Sequence, residues 1–138
     1  KLEPSCMLHP TIIGNYEKNK QTAIQQEGLT VNADFQDSVA VNYARQAIVT
    51  VNGLTFLNNT TLHQEVFGPF SMLVVCKDAN ELKQVISHLE GQLTGTILGE
   101  EEELQKFPEL QLMADLKFGY KNRQQPHYFY QAKRLLYL

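Results

Sequence analysis

From Phe70 to Leu98 the chain reads strand, helix, strand with very short connections, and this order restricts the fold more than any other stretch. Phe70-Ser71-Met72-Leu73-Val74-Val75 is apolar almost throughout, the pattern of a strand covered on both faces. Asp78-Ala79-Asn80-Glu81 has the form of a capping box, in which the first side chain accepts from the backbone three residues on and the glutamate reaches back. Leu82, Val85, Ile86 and Leu89 then recur at helical spacing and predict one buried face, with Gly91 as the stop. Leu93-Thr94-Gly95-Thr96-Ile97-Leu98 is the next strand expected, ending at Gly99. Two strands joined by one helix form a βαβ unit with a right-handed crossover, so the expected class is α/β with parallel strands.

The rest of the chain supplies further elements. Pro10 suits the first turn of a helix, where its missing N–H is not needed. Ile13, Tyr16, Ala23 and Ile24 form an apolar stripe running through to Glu27, and Gly28 is the natural stop. Leu29 and Val31 suggest a short extended piece, and residues 32–38 are polar and turn-like. Ala47-Ile48-Val49-Thr50-Val51 is rich in β-branched residues and predicts a strand. Asn52-Gly53 follows; between two strands that pair favours a tight hairpin, and Leu54–Leu57 is too short to separate strand from helical turn. Glu100–Glu103 forms an acidic helix start, and Pro108 breaks the apolar stretch that follows.

Composition excludes several classes. The 138 residues are 43 % apolar, enough for one core. No apolar run approaches the roughly 20 residues of a membrane span, and no membrane partner is expected. Lys1-Leu2-Glu3-Pro4 lacks the pattern of a signal peptide. Cys6 and Cys76 are too few for a disulfide scaffold, so a reducing, cytoplasmic setting is expected.

Charge is uneven along the chain. Eight of the 12 Lys/Arg and all 15 Asp/Glu lie within residues 1–119, a net −7, while residues 120–138 carry four Lys/Arg and no acid. Lys121, Arg123, Lys133 and Arg134 are interleaved with Tyr128, Phe129 and Tyr130. Such a tail has the residue types that follow phosphates and stack on bases in single-stranded nucleic acid, although simple packing is favoured over nucleic-acid binding.

Most candidate chemistry is bland. His9, His63, His88 and His127 make no metal-ligand spacing with a cysteine, and surface or helix-end roles are expected, with no metal site. Cys76 closes an apolar strand and reads as a small buried residue; Cys6 has no recognisable base. Neither a Gly-x-Gly-x-x-Gly turn nor a Walker-type loop is present.

The informative segment is Glu65-Val66-Phe67-Gly68-Pro69, with a Phe-Leu-Asn run before it and an apolar strand after it. Here the chain resembles the NAD(P)-dependent aldehyde dehydrogenase superfamily, from about Met7 to about Gly119. Leu89-Glu90-Gly91-Gln92-Leu93-Thr94 further resembles its ketoglutarate-semialdehyde dehydrogenase branch. The resemblance implies a three-layer α/β catalytic domain with flanking helices and mainly parallel strands. It implies that Glu65 accepts hydrogen bonds from the nicotinamide ribose hydroxyls and that Phe67 packs near the nicotinamide ring. It implies an oxidoreductase reaction: a cysteine thiolate attacks an aldehyde, hydride passes to NAD or NADP, and activated water hydrolyses the thioester.

The family's nucleophile motif lies upstream of this segment and is not found here; Ser5-Cys6-Met7-Leu8-His9-Pro10 resembles the helix entry that follows it. Residues 1–119 are therefore expected to be a fragment of the catalytic domain, with no catalytic residue of its own, no cofactor bound and no activity alone. Residues 120–138 show none of the family's continuation and are expected to be a divergent, frameshifted or replaced tail. Uncovered apolar faces predict self-association or a missing enzyme half. The alternative is a non-enzymatic interaction module using the tail, or a degenerate remnant.

Overall fold

A computed structural model describes residues 3–37, 39–89 and 101–109. The described elements are β1 (Ser5–Cys6), α1 (Pro10–Ile24), β2 (Leu29–Asp34), β3 (Tyr43–Ala44), β4 (Ala47–Asn52), α2 (Gly53–Asn58), a 3₁₀ turn at Thr60–His63, β5 (Phe70–Val75), α3 (Ala79–His88) and α4 (Glu101–Lys106). The class is α/β. The strands form a three-stranded sheet in the order β2-β4-β5 and a two-stranded ribbon, β1-β3.

The expectation of mainly parallel strands is corrected. Only β4 and β5 run parallel among the described strands; β2–β4 and β1–β3 are antiparallel. The cause lies in the connections. Parallel neighbours need a crossover, and α2 with the 3₁₀ turn supplies one between β4 and β5. Between β2 and β4 there is only loop and the short β3, with Asn42 in the left-handed region at φ 68°, so the chain doubles back. The possible hairpin at Asn52-Gly53 is excluded for the same reason. Asn52 Oδ1 accepts from the Thr55 N–H at 2.8 Å, so the pair caps α2 instead of closing a turn. The second strand of the anticipated βαβ unit, Leu93–Leu98, and the Gly119 boundary lie outside the described residues.

One face of the sheet is the core. Ala47, Val49 and Val51 of β4 and Phe70, Met72 and Val74 of β5 are buried, as the two-residue period of a strand requires. Tyr16 and Ala23 of α1, Phe56 of α2, Leu62, and Leu82, Val85 and Ile86 of α3 join the same cluster. The other face is less covered among the described residues: Ile48, Thr50 and Leu73 are half-buried, and Ser71 and Val75 are exposed, with Val75 at 52 %. The expectation that Phe70–Val75 is covered on both faces is therefore not met among the described residues.

Helix ends follow local chemistry. Pro10 opens α1, and the His9 ring accepts from the Thr11 N–H. The helix closes at Ile24, earlier than the apolar stripe suggested, and Gly28 takes φ 79° beside Thr55, where an added Cβ would lie 2.9 Å from a methyl. Asp78 caps α3 by accepting from the Glu81 N–H at 2.8 Å, and Glu81 Oε2 accepts from the Lys77 N–H at 2.7 Å, one residue before the usual box partner. Among the described residues, no helix is long and apolar enough to cross a membrane.

Candidate functional site

The Glu65–Pro69 turn is held from below by one side chain. Tyr16 on α1 is fully buried. Its hydroxyl lies 2.6 Å from the Arg45 carbonyl and 3.2 Å from the Pro69 carbonyl, the residues that lead towards β4 and β5. The Pro69 carbonyl also accepts from the Ala47 N–H at 3.0 Å, which joins the two strand entries directly. The Phe70 N–H donates to the Gly68 carbonyl at 2.8 Å, closing a three-residue turn around Pro69.

Gly68 sits on the Tyr16 ring. Its φ is 153°, and an added Cβ would lie 2.4 Å from Cδ2 of that ring. Both the backbone angle and the contact require glycine. Burial raises the Tyr16 phenol well above its ordinary range, and the nearby Glu17 and Asp34 carboxylates add to the effect. The hydroxyl stays protonated, which is the state that donates to carbonyls.

Glu65 and Phe67 project from this turn to the surface. Glu65 is exposed, and its carboxylate makes no hydrogen bond or ion pair to any described residue. Phe67 is 48 % exposed. A bare carboxylate accepts two hydroxyls, and a half-bare ring offers an apolar face. A cleft of about 290 Å³ opens beside the same turn, lined by Gln46, Ile48, Gly68, Pro69 and Ser71 among others, but not by Glu65 or Phe67.

The structure also brings together groups that are far apart in sequence. Lys20 is 2 % exposed, yet its ammonium lies 2.8 Å from Glu17 and 3.2 Å from Asp34 and stacks over the Tyr16 ring at 5.4 Å. Sequence reasoning missed Lys20 and gave Tyr16 only an apolar role. A phenol on an apolar stripe was the available signal, because a buried hydroxyl must find a partner. His63 and His88 do stand at helix ends, their rings 6.2 Å apart, and each ring hydrogen-bonds a backbone carbonyl at 2.8 Å, Phe56 for His63 and Gln84 for His88. Among the described residues no group of three or more His, Cys, Asp or Glu could hold a metal ion.

The two cysteines differ. Cys76 is buried, and its thiol is pushed up to about 11, first by burial and then by the Glu81 and Asp78 charges. That favours an inert thiol. Cys6 is exposed at the ribbon opposite Tyr43. The basic and aromatic residues of the tail, Lys121 to Arg134, lie outside the described residues.

Comparison with known proteins points the same way as the Glu65–Pro69 segment. No family model matches the chain. The chain is similar to the alpha-ketoglutaric semialdehyde dehydrogenase of Acinetobacter baylyi (strain ATCC 33305 / BD413 / ADP1), with 27 % identity over 117 residues, covering 84 % of this chain and 22 % of that protein. It is also similar to alpha-ketoglutaric semialdehyde dehydrogenase 2 of Azospirillum brasilense, with 43 % identity over 51 residues, covering 37 % of this chain and 10 % of that protein. The chain thus spans about a fifth of the length of the first relative and a tenth of the second.

Proposed function

We propose that the chain is a segment of the catalytic domain of an NAD(P)-dependent aldehyde dehydrogenase, acting on a semialdehyde acid, and that Glu65 and Phe67 are its cofactor contacts. The observation that carries this reading is the Glu65–Pro69 turn: a carboxylate free of partners among the described residues and a half-exposed ring, on a turn tied to two strands that bury one face in the core. The likeness to two semialdehyde dehydrogenases supports the choice of substrate class.

The residues fit the nicotinamide end of a dinucleotide. Glu65 would accept the two ribose hydroxyls, and charge-assisted bonds of this kind are roughly twice as strong as neutral ones. Phe67 would cover the nicotinamide ring and keep water from it. NAD(P), when bound, supplies the hydride acceptor. Gly68 and Pro69 keep the two side chains in a fixed relation to β5. The nucleophile and the general base are not assigned to any residue here, so the 138-residue chain alone is expected to form no NAD(P)H from an aldehyde.

Stable binding of whole NAD(P) is not expected of this chain, so the direct test reads only weak contact at the nicotinamide end: titration of the purified chain with nicotinamide mononucleotide to millimolar concentration, followed by backbone NMR. Expected are shifts centred on Glu65 and Phe67, and an affinity about tenfold or more weaker in Glu65→Gln, since a bond to a charged group contributes about 1.5–3 kcal/mol. Absence of shifts at millimolar ligand, or shifts centred elsewhere, would sink the reading. Aldehyde-dependent NAD(P)H formation by the chain alone would overturn the assignment of chemistry to other residues.

A further inference from the structure

We infer that Tyr16 is the positioning residue of the Glu65–Phe67 site, acting through its hydroxyl, which is shared between the Arg45 and Pro69 carbonyls, and through its ring on Gly68. The inference rests on the cofactor reading for what the site binds, but not for how the turn is held.

Four observations converge on this one side chain. Tyr16 has no exposed surface, so its hydroxyl has no water to fall back on. That hydroxyl lies within hydrogen-bond distance of two carbonyls, Arg45 before β4 and Pro69 before β5. These belong to segments 29 and 53 residues away in sequence, so the contact locks three distant parts of the chain together. Finally, the ring lies directly under Gly68, where an added Cβ would sit 2.4 Å from it. Pro69 alone separates Gly68 from Phe70, the first residue of β5, and Phe67 adjoins Gly68 on the other side. Movement of the turn away from α1 breaks the Pro69 contact; movement towards α1 drives Gly68 into the ring. The turn therefore has one seat, and that seat sets where Glu65 and Phe67 project.

α1 is itself anchored against the sheet. Lys20, one helical turn beyond Tyr16, reaches Asp34 at the end of β2 at 3.2 Å. The ring is thus fixed from the helix side independently of the turn it supports, which separates positioning from mutual collapse.

The test uses the 138-residue chain and Tyr16→Phe, which keeps the ring and removes only the hydroxyl. Two readouts are taken. The first is amide hydrogen exchange at Ala47 and Phe70, compared with Val49 and Val51 deeper in β4. Expected is exchange about three- to tenfold faster at Ala47 and Phe70, the loss of one ordinary hydrogen bond, with the inner β4 amides close to wild type. A merely structural role would speed all four together. The second readout is nicotinamide mononucleotide affinity, expected to weaken by a similar factor in Tyr16→Phe and to stay unchanged in Tyr43→Phe. Gly68→Ala supplies a second route, because it leaves the hydroxyl in place and displaces the turn; it is expected to weaken binding as well.

Uniform exchange changes in Tyr16→Phe, or wild-type affinity in both Tyr16→Phe and Gly68→Ala, would overturn the inference. Selective exchange in Tyr16→Phe together with no ligand binding by the wild type would uphold Tyr16 as the support of the turn and remove the cofactor reading.

Discussion

Lys20→Met is the sharpest test of how α1 is held to the sheet. Lys20 is 2 % exposed and carries a charge, which its two carboxylate partners, with the Tyr16 ring beneath it, make tolerable. Methionine keeps most of the side-chain volume and removes the ammonium. Breaking a buried ion pair by deleting one partner costs about 3–5 kcal/mol, because the other charge is left dry. Here the partners are not equally dry: Asp34 is 17 % exposed and Glu17 is 45 % exposed. Water can replace the Glu17 contact almost freely, so most of the loss comes from Asp34, and about 2 kcal/mol is expected. In urea, that corresponds to a midpoint about 1 M lower, read by far-UV circular dichroism.

The pH dependence has a definite sign. Burial opposes the charge on Lys20, but the bonds to Glu17 and Asp34 outweigh it and hold the pKa above its ordinary 10.5. A raised lysine pKa means the folded chain holds the proton more tightly than the unfolded chain. The stabilisation is fully present below 10.5 and is lost as the pH rises through the higher folded value. The gap between wild type and Lys20→Met should therefore be constant from about pH 8 to 10 and shrink above that. An unchanged urea midpoint at pH 8, or a gap that widens with alkali, would refute the reasoning.

Three further outcomes are expected. Asp78→Ala removes the oxygen that accepts from the Glu81 N–H and should cost about 1 kcal/mol, seen as a lower urea midpoint; no change would mean the cap is not formed in solution. Leu62→Ala empties a site with no exposed surface and should cost about 2–5 kcal/mol, and a loss well under 1 would show that the crossover between β4 and β5 is loosely packed. With a disulfide reagent at pH 8, exposed Cys6 should react at once, while Cys76, whose thiol is pushed up to about 11, waits for unfolding; fast reaction of both thiols in native buffer would contradict its burial.

Strands and helix caps were legible in the sequence because they depend on neighbours a few residues apart. Asp78-Ala79-Asn80-Glu81 announced the start of α3, and Val49, Val51 and Phe70–Val75 announced two strands. Strand direction was not legible, because it depends on what fills the connection. Asn52-Gly53 serves both a hairpin and a helix cap, and only the tertiary fold selects the cap. Lys20 was hidden for a related reason: on a helical stripe with Tyr16 and Ala23 it looks like a polar gap, and its partner Asp34 lies on another element. Of the proposed site, Glu65 and Phe67 stood out in the sequence only as members of a five-residue pattern, and their role stays a proposal. Tyr16 was not, since the carbonyls it meets belong to residues 29 and 53 positions away.

The place of the turn limits what it can do for a ligand. β4 and β5 are parallel, and Glu65–Pro69 leads into the first residue of β5, so the turn stands at the N-terminal end of the pair. Ligands of open parallel sheets usually sit at the opposite, C-terminal ends, where helix N-termini and backbone N–H groups meet phosphate. The turn has neither device; it offers a carboxylate and a ring. A carboxylate repels phosphate and accepts hydroxyls, so its contact with a dinucleotide falls on the ribose and the base beside it. On the proposed reading, Glu65 and Phe67 therefore meet a ribose and the base beside it, and pyrophosphate recognition has to come from other residues. The same reasoning predicts that free pyrophosphate leaves the Glu65 and Phe67 signals unmoved while nicotinamide mononucleotide shifts them. Equal shifts with both would mean that charge, not the ribose hydroxyls, is what the turn senses.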